Sequence, residues 1–338
     1  MNLDGTQQAH THPASVGILG TGSYVPSHVV TNDDIGPQAG ATDEWVVRKT
    51  GIHRRRFGKD DEATSDLAAA AARGALEEAR VSVADLSLII VATSTPDSPQ
   101  PPTAALVAHL LQAPSTAAAF DLNAVCSGFV YAVVTAQRML AGGGGYALVI
   151  GADMYSRITD PTDRRTRVLF GDGAGAVVLG PTSGPGRILA GRLLTFSDGH
   201  DLVGVAAGGT RLGATAQTVA QGSHYFEMNG RGVKEIVSST LPGTLFAFLD
   251  EIGVAKEEIA HIVPHQGNGV MLSALEAELG FPRARLHTTV GEYGNTGAAS
   301  IAVTLDAAVR EGALRPGEKV LLCAFGGGFS FGYALIEW

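Results

Sequence analysis

Hydrophobic and polar positions along the chain follow two alternating rhythms. Short, fully apolar runs rich in Val, Ile and Leu occupy 16–19, 88–92, 147–150, 176–179, 188–190, 261–263, 320–324 and 333–336. They read as buried strands, because a strand covered on both faces shows no alternation. Between them lie longer Ala-rich stretches with apolar residues at i, i+3 and i+4 spacing: 66–80, 102–111, 127–140, 231–252, 270–279 and 296–310. These read as helices. Strand and helix in regular alternation predict an α/β fold.

The pattern repeats. Displacing the chain by 173 residues puts Leu76 on Leu249, Val81 on Val254, Asp85 on Glu258, Ile89 on Ile262, Ser127 on Ser300 and Leu148 on Leu321. Helix falls on helix and strand on strand in one constant register, which predicts a duplicated architecture. The two halves span 16–182 and 187–338, and Gly184-Pro185-Gly186 is a natural joint between them. Halves related by a pseudo-twofold axis bring equivalent helix starts together at the centre. Cys126 opens one such helix, Asn295 precedes the equivalent one, and His265 directly follows a strand.

At 338 residues the chain is long enough for about two domains. Lys and Arg total 24 against 33 Asp and Glu, a net charge of −9, which argues against general nucleic-acid binding. Glycine, at 44 residues, is close to twice the usual ~7% and implies many tight turns and close backbone approaches. Two cysteines, Cys126 and Cys323, make neither a disulfide framework nor a Cys-based zinc site, so no metal is expected and a reduced, cytoplasmic setting is the default. No apolar run reaches the roughly 18 residues of a membrane span. Residues 1–15 are polar, lack the pattern of a signal peptide, and read as a flexible N-terminal extension.

A cysteine at a helix start feels the positive end of the helix dipole, which favours thiolate, and a nearby imidazole favours it further. Ser127 and Gly128 beside Cys126 permit close approach, so Cys126 reads as a nucleophile, whereas Cys323 in Val-Leu-Leu-Cys-Ala reads as core. His265 stands where α/β folds present ligand-facing groups. Asn295 has two readings: it caps the following helix, or Thr296 caps it and the Asn295 side chain is free. Residues 45–56, from Trp45 to Arg56, form the most basic stretch of an acidic chain. It is either a solvated charge run or a place where Trp stacks on a base and cations meet phosphate.

Two motifs fail their context tests. Gly328-Phe-Ser330-Phe-Gly332 matches a nucleophile elbow, but no helix with a downstream acid and base follows it. Gly171-Asp-Gly173-Ala-Gly175-Ala176 matches a dinucleotide fingerprint, but runs into a strand rather than a helix.

Seven blocks carry a family resemblance: 20–26, Asp43-Glu-Trp45 with Thr50-Gly51-Ile52, 121–128 around Cys126, Phe170 to Gly175, Pro264-His265-Gln266, Tyr293-Gly-Asn295-Thr296, and 324–329. In order and spacing the chain resembles β-ketoacyl-acyl carrier protein synthase III, the initiating condensing enzyme of the thiolase-fold superfamily, over essentially 16–338. The resemblance implies a thiolase-like αβαβα layered fold, a homodimeric assembly, and a Cys126–His265–Asn295 triad. It implies an oxyanion hole from the Cys126 and Gly327 amides. It further implies acyl-CoA as acyl donor, a malonyl-type thioester on CoA or on acyl carrier protein as partner, and no metal or redox cofactor. Trp45 and Arg164 would sandwich adenine, Lys49 and Thr50 would lie along the coenzyme A site, and Asn268 would face the pantetheine arm. Gln100 and Pro101 would gate the acyl pocket.

The chain departs from the family pattern at four places. Lys49 stands where Arg is usual and Gly267 where Ala is usual. Val270 replaces an Arg of the carrier-docking patch, with Glu276 and Glu278 nearby, and Gln100-Pro101-Pro102 replaces an aromatic residue before a single Pro. These departures point to an unusual acyl group, weak carrier docking and a specialised-metabolite pathway. Two other readings are open: transfer of the Cys126-bound acyl group to a hydroxyl or amine without decarboxylation, and a non-catalytic subunit of the same fold. The intact triad argues against the second.

Overall fold

The computed structural model describes residues 15–142 and 144–338; the expected N-terminal extension lies, but for Ser15, outside the described residues. In the first half β1 (Val16–Tyr24), β4 (Leu86–Ala92), β5 (Ala118–Leu122), β6 (Tyr146–Met154) and β7 (Asp172–Pro181) form one side of the main sheet, and β2 (His28–Thr31) and β3 (Arg54–Phe57) make a small ribbon. The second half adds β8 (Arg187–Thr195), β11 (Ile259–Pro264), β12 (Arg285–Leu286), β13 (Lys319–Gly326) and β14 (Ser330–Glu337), with β9 (Val203–Val205) and β10 (Phe226–Met228) as a second ribbon. The helices are α1 (Asn32–Ala39), α2 (Asp43–Thr50), α3 (Thr64–Ala79), α4 (Thr103–Leu111), α5 (Gly128–Leu140), α6 (Ala216–Ala220), α7 (Gly230–Glu251), α8 (Gly269–Leu279), α9 (Val290–Tyr293) and α10 (Ser300–Arg310).

All eight apolar runs are strands and all six Ala-rich stretches are helices, each a few residues longer or shorter than the pattern gives. The short strands β2, β3, β5, β9, β10 and β12 and the short helices α1, α2, α6 and α9 escaped it. Ala118–Leu122 carries an Asp in a short edge strand, and α1 and α2 are eight-residue helices made by Thr31 and Thr42 caps rather than by an apolar stripe.

The strand order β12-β11-β13-β14-β8-β1-β7-β6-β4-β5 reads as two equivalent sets of five meeting at β1 and β8, where Gly17 pairs with Arg187. The duplication is visible in the bounds: β4 and β11, and β6 and β13, correspond at the displacement found in the sequence to within about a residue, and α5 and α10 begin within a residue of it. One apolar core buries α5 and α10 between the two sets of strands (Phe129, Val133, Ile301, Leu305). A second packs α3 and α4 on the outer face of the first set (Leu67, Ala71, Val107), and a third packs α7 and α8 on the outer face of the second (Leu245, Phe248, Leu275). Helix, sheet, helix, sheet and helix stack in that order, the expected αβαβα layering.

At the centre a buried carboxylate ties one half to the other. Asp153, fully buried at the end of β6, accepts with Oδ1 from Ser94 N (2.8 Å), Thr95 N (3.1 Å) and the hydroxyls of Thr93, Ser94 and Thr95. Its Oδ2 accepts from Ala298 N, in the other half, at 2.7 Å. Gly297 makes that approach possible. Its φ is +58°, and a Cβ there would collide with Asp153 Oδ2 and lie 2.7 Å from Tyr155 Cε2. A Gly297→Ala variant is therefore expected to lose about 2–5 kcal/mol of stability, read from the urea midpoint. Gly243→Ala, in open space on the exposed side of α7, is expected to gain about 0.5–1 kcal/mol in the same assay.

Candidate active site

Cys126 and its neighbours sit in a 3-10 turn, Val125–Ser127, from which α5 begins at Gly128. Val125, a β-branched residue, is held at φ +49°, a strained conformation of the kind that clusters at functional sites. Its amide donates to Asn123 Oδ1 at 3.0 Å. The turn is pressed from the other half by the start of the turn that follows β13. A Cβ on Gly326 would lie 2.9 Å from the nitrogens of both Cys126 and Ser127, so only glycine lets the two backbones meet.

His265 directly follows β11. Its Nδ1 lies 2.8 Å from Ser300 Oγ at the start of α10, and the edge of Phe325 packs against its ring at 5.1 Å between centroids. Gln266 beside it is fully buried and spent on backbone. Its Nε2 donates to Pro264 O and His287 O, and its Oε1 accepts from Thr289 N and Val290 N. One side chain thus ties the end of β11 to the loop that leads to Asn295.

The two readings of Asn295 merge. Thr296 occupies the cap position of the turn Gly297–Ala299 without using its side chain, and Asn295 Oδ1 accepts from Gly297 N at 2.9 Å. The Asn295 Nδ2 group has no protein acceptor among the described residues.

Cys126, His265 and Asn295 are 8%, 3% and 5% exposed and line one cavity of about 550 Å³. Its inner wall is Val125, Leu169, Phe170, Val203, Phe226, Phe325 and Phe329. Dryness sets the resting charges. Burial, and secondarily the Asp153 carboxylate, pushes the Cys126 thiol well above its ordinary value. Burial thus opposes the thiolate that the helix start is expected to favour. Burial also lowers His265 to about 3, so its imidazole is neutral at physiological pH.

At the mouth, Arg164 stacks over the Trp45 ring, Cζ 5.2 Å from its centroid, so these two predicted residues do come together. Lys49 lines the same mouth, joined by Arg165, Arg231, Lys234 and, as the one acid, Glu278. Of the rest of the basic stretch, Arg48 and His53 are exposed, and Arg54, Arg55 and Arg56 are held by neighbours. Arg54 pairs with Glu292 at 2.6 Å, Arg55 is completely buried against Asn32 Oδ1 and Val168 O, and Arg56 lies over Tyr293. Thr50 and Asn268 line the wall, but their polar atoms are engaged. Thr50 Oγ1 donates to Val46 O and accepts from Ile52 N, while Asn268 caps α8 through Met271 N and donates to Lys49 O. Gln100 and Pro101 are exposed and do not line the cavity of their own chain. Their segment is drawn to the edge of the sheet, where the amides of Thr103 and Ala104 are held by Asp121. Val270 is 49% exposed at the start of α8.

Cys323 is buried mid-strand in β13, and Ser330 opens β14 with its hydroxyl on Ala124 O and Gly327 O, so neither offers a second nucleophile. Sequence reasoning missed Asp153, Ser300 and the α7 cations Arg231 and Lys234. Only Ser300 left a trace, as the partner of Ser127 in the repeat.

Residues 120–197 match the family model for 3-oxoacyl-[acyl-carrier-protein] synthase III, and residues 249–338 match the model for its C-terminal part. The chain is 56% identical over 323 residues to the acetoacetyl CoA synthase NphT7 of Streptomyces sp. (strain CL190), covering 95% of this chain and 98% of that protein. It is 42% identical over 322 residues to the beta-ketoacyl-[acyl-carrier-protein] synthase III of Thiobacillus denitrificans, with 95% and 98% covered. The crystal structure of 3-oxoacyl-[acyl-carrier-protein] synthase III from Aquifex aeolicus superposes with a TM-score of 0.86 at 36% identity, over 96% of this chain and all of that one. With likeness of this extent in sequence and in architecture, the chain belongs to the 3-oxoacyl-[acyl-carrier-protein] synthase III family.

Proposed function

We propose that this protein is a condensing acyltransferase of fatty-acid or polyketide biosynthesis, and that Cys126 carries the acyl group. The observation that carries the reading is the meeting of a thiol, an imidazole and a carboxamide in one cavity with an apolar inner wall, with His265 Nε2 and Asn295 Nδ2 without protein partners among the described residues.

Cys126 sulfur attacks the carbonyl of an acyl-CoA. The new sulfur–acyl bond forms, the old one breaks, and the thiol proton ends on the departing CoA sulfur. The amides of Cys126 and Gly327 hold the oxyanion. A malonyl-type thioester then loses carbon dioxide. The electron pair of the broken carbon–carbon bond becomes an enolate, whose oxygen receives hydrogen bonds from His265 and Asn295. The carbanion attacks the Cys126-bound carbonyl, a carbon–carbon bond forms, and the sulfur leaves and regains a proton from solvent. The product is a β-ketoacyl thioester, and no resident metal or redox cofactor takes part.

The mouth supports a CoA-borne malonyl group in preference to a carrier-borne one. Trp45 offers a ring face to adenine once Arg164, stacked on it, swings aside, and Lys49 offers charge to phosphate. Val270 and Glu278 leave the α8 side without a basic docking patch. The name of the relative from Streptomyces supports acetoacetyl-CoA as a product and an acetyl starter. We further propose a cytoplasmic homodimer joined along β5, an edge strand whose outer side no described strand covers. The nucleophile then belongs to the half 16–182 and both donors to the half 187–338.

Incubation with acetyl-CoA should add one acetyl mass to the Cys126 peptide, and malonyl-CoA should then release carbon dioxide and a β-keto product. An ester or amide product without gas would instead establish transfer to a hydroxyl or amine. Cys126→Ala should abolish the adduct. His265→Ala should slow decarboxylative condensation by about 10²–10³-fold and acylation far less. Because His265 is pushed down to about 3, it is uncharged from pH 5 to 8. Condensation from pre-formed acyl-enzyme should accordingly show no acidic limb in that range. The Cys126 thiol is pushed up, so its thiolate fraction is small at pH 7 and grows roughly tenfold per pH unit. Alkylation by iodoacetamide should rise through pH 9 without a plateau. Sedimentation velocity should give a single species of twice the chain mass.

A further inference from the structure

We propose that Ser300 is a positioning residue that holds His265 in the tautomer with its proton on Nε2. The proposal rests on the condensation reading for its consequence, but it stands on a hydrogen count. Ser300 is 1% exposed, and its Oγ has two partners: His265 Nδ1 at 2.8 Å and the backbone amide of Gln266 at 3.4 Å. An amide only donates, so it occupies an oxygen lone pair. The one acceptor then open to the Ser300 hydroxyl proton, among the described residues, is His265 Nδ1. The opposite assignment, Nδ1–H donating to Ser300, leaves a buried O–H with nothing to receive it. With Nδ1 accepting, the ring proton resides on Nε2, and Nε2 is the nitrogen beside Gly267, where a Cβ would lie 3.2 Å away.

The backbone of Ser300 is itself fixed, since its carbonyl accepts from Thr304 Oγ1 at 2.8 Å. Its counterpart in the other half, Ser127, is used differently, because its hydroxyl donates to Ser330 O beside the nucleophile turn. One repeat position has thus diverged, packing the cysteine in one half and setting the imidazole in the other.

The tautomer decides what His265 does. With a proton on Nε2 it is a donor, ready with the Asn295 amide for an enolate oxygen. With a lone pair there it would be a base, as transfer to a hydroxyl or amine requires. Ser300 biases the site towards carbon–carbon bond formation.

The experiment is nitrogen-15 spectroscopy of the full-length protein labelled at histidine, at neutral pH, with His265 assigned by its absence in His265→Asn. The expected pattern is a protonated Nε2 and an unprotonated Nδ1; a protonated Nδ1 overturns the proposal without any variant. In Ser300→Ala, malonyl-CoA decarboxylation by acylated enzyme should fall by up to about 10²–10³-fold, while acylation of Cys126 stays near wild type and certifies the fold. Equal loss of both steps, or loss of neither, also overturns it. If wild-type protein forms no acyl adduct and releases no carbon dioxide, the condensation reading fails, and the nitrogen spectrum still decides the role of Ser300.

Discussion

Six hydrogen bonds to one buried carboxylate hold the centre of this molecule. Asp153 gathers the amides and hydroxyls at the end of β4 on one oxygen and reaches across the pseudo-twofold to Ala298 with the other. Burial raises its pKa while the donors oppose that rise. Three of those donors are backbone amides, which cannot turn away, so the pocket is built for the anion. The turn that supplies Ala298 also fixes Asn295, through the Gly297 amide. The same tie that joins the halves therefore sets the position of one predicted donor and limits residue 297 to glycine.

That tie acts on the nucleophile too. A carboxylate near Cys126 and a cavity walled by phenylalanines both disfavour a resting thiolate. The imidazole is held neutral by the same dryness. A thiol and an imidazole without charge suit a site that must wait for a thioester. Charge develops when the substrate brings an oxyanion or enolate within reach of fixed N–H groups, and such groups act most strongly where water is excluded. Reactivity at Cys126 is then a property of the loaded cavity, with the strained Val125 and the close-packed Gly326 keeping the sulfur in place.

Outside the cavity the acidic chain turns locally basic. The cations come from three separate places: Lys49 on α2, Arg164 and Arg165 before β7, and Arg231 and Lys234 on the first turns of α7. Only the first belonged to the conspicuous run in the sequence. Arg48 and Arg54 of that run are exposed, and Arg55 is sealed under the wall that holds Val168. A patch of charge in a chain and a patch of charge on a surface are different objects, since folding redistributes both.

Much of the architecture was written in one dimension. Strands buried on both faces must be apolar throughout, so the eight runs announced themselves, and a duplicated fold preserves its spacing, so the displacement of 173 located the two halves. The repeat placed Cys126, His265 and Asn295 at element ends facing one region, and the family blocks that contain them made the three a triad. The sequence could not show the short capped helices, the edge strand β5, the exposed position of Gln100 and Pro101, or the roles of Asp153 and Ser300. These depend on neighbours distant along the chain, or on a single hydrogen bond. The surroundings of Cys126 belong here as well: local sequence supplies the helix start, but only the tertiary structure supplies the desolvation that opposes a thiolate.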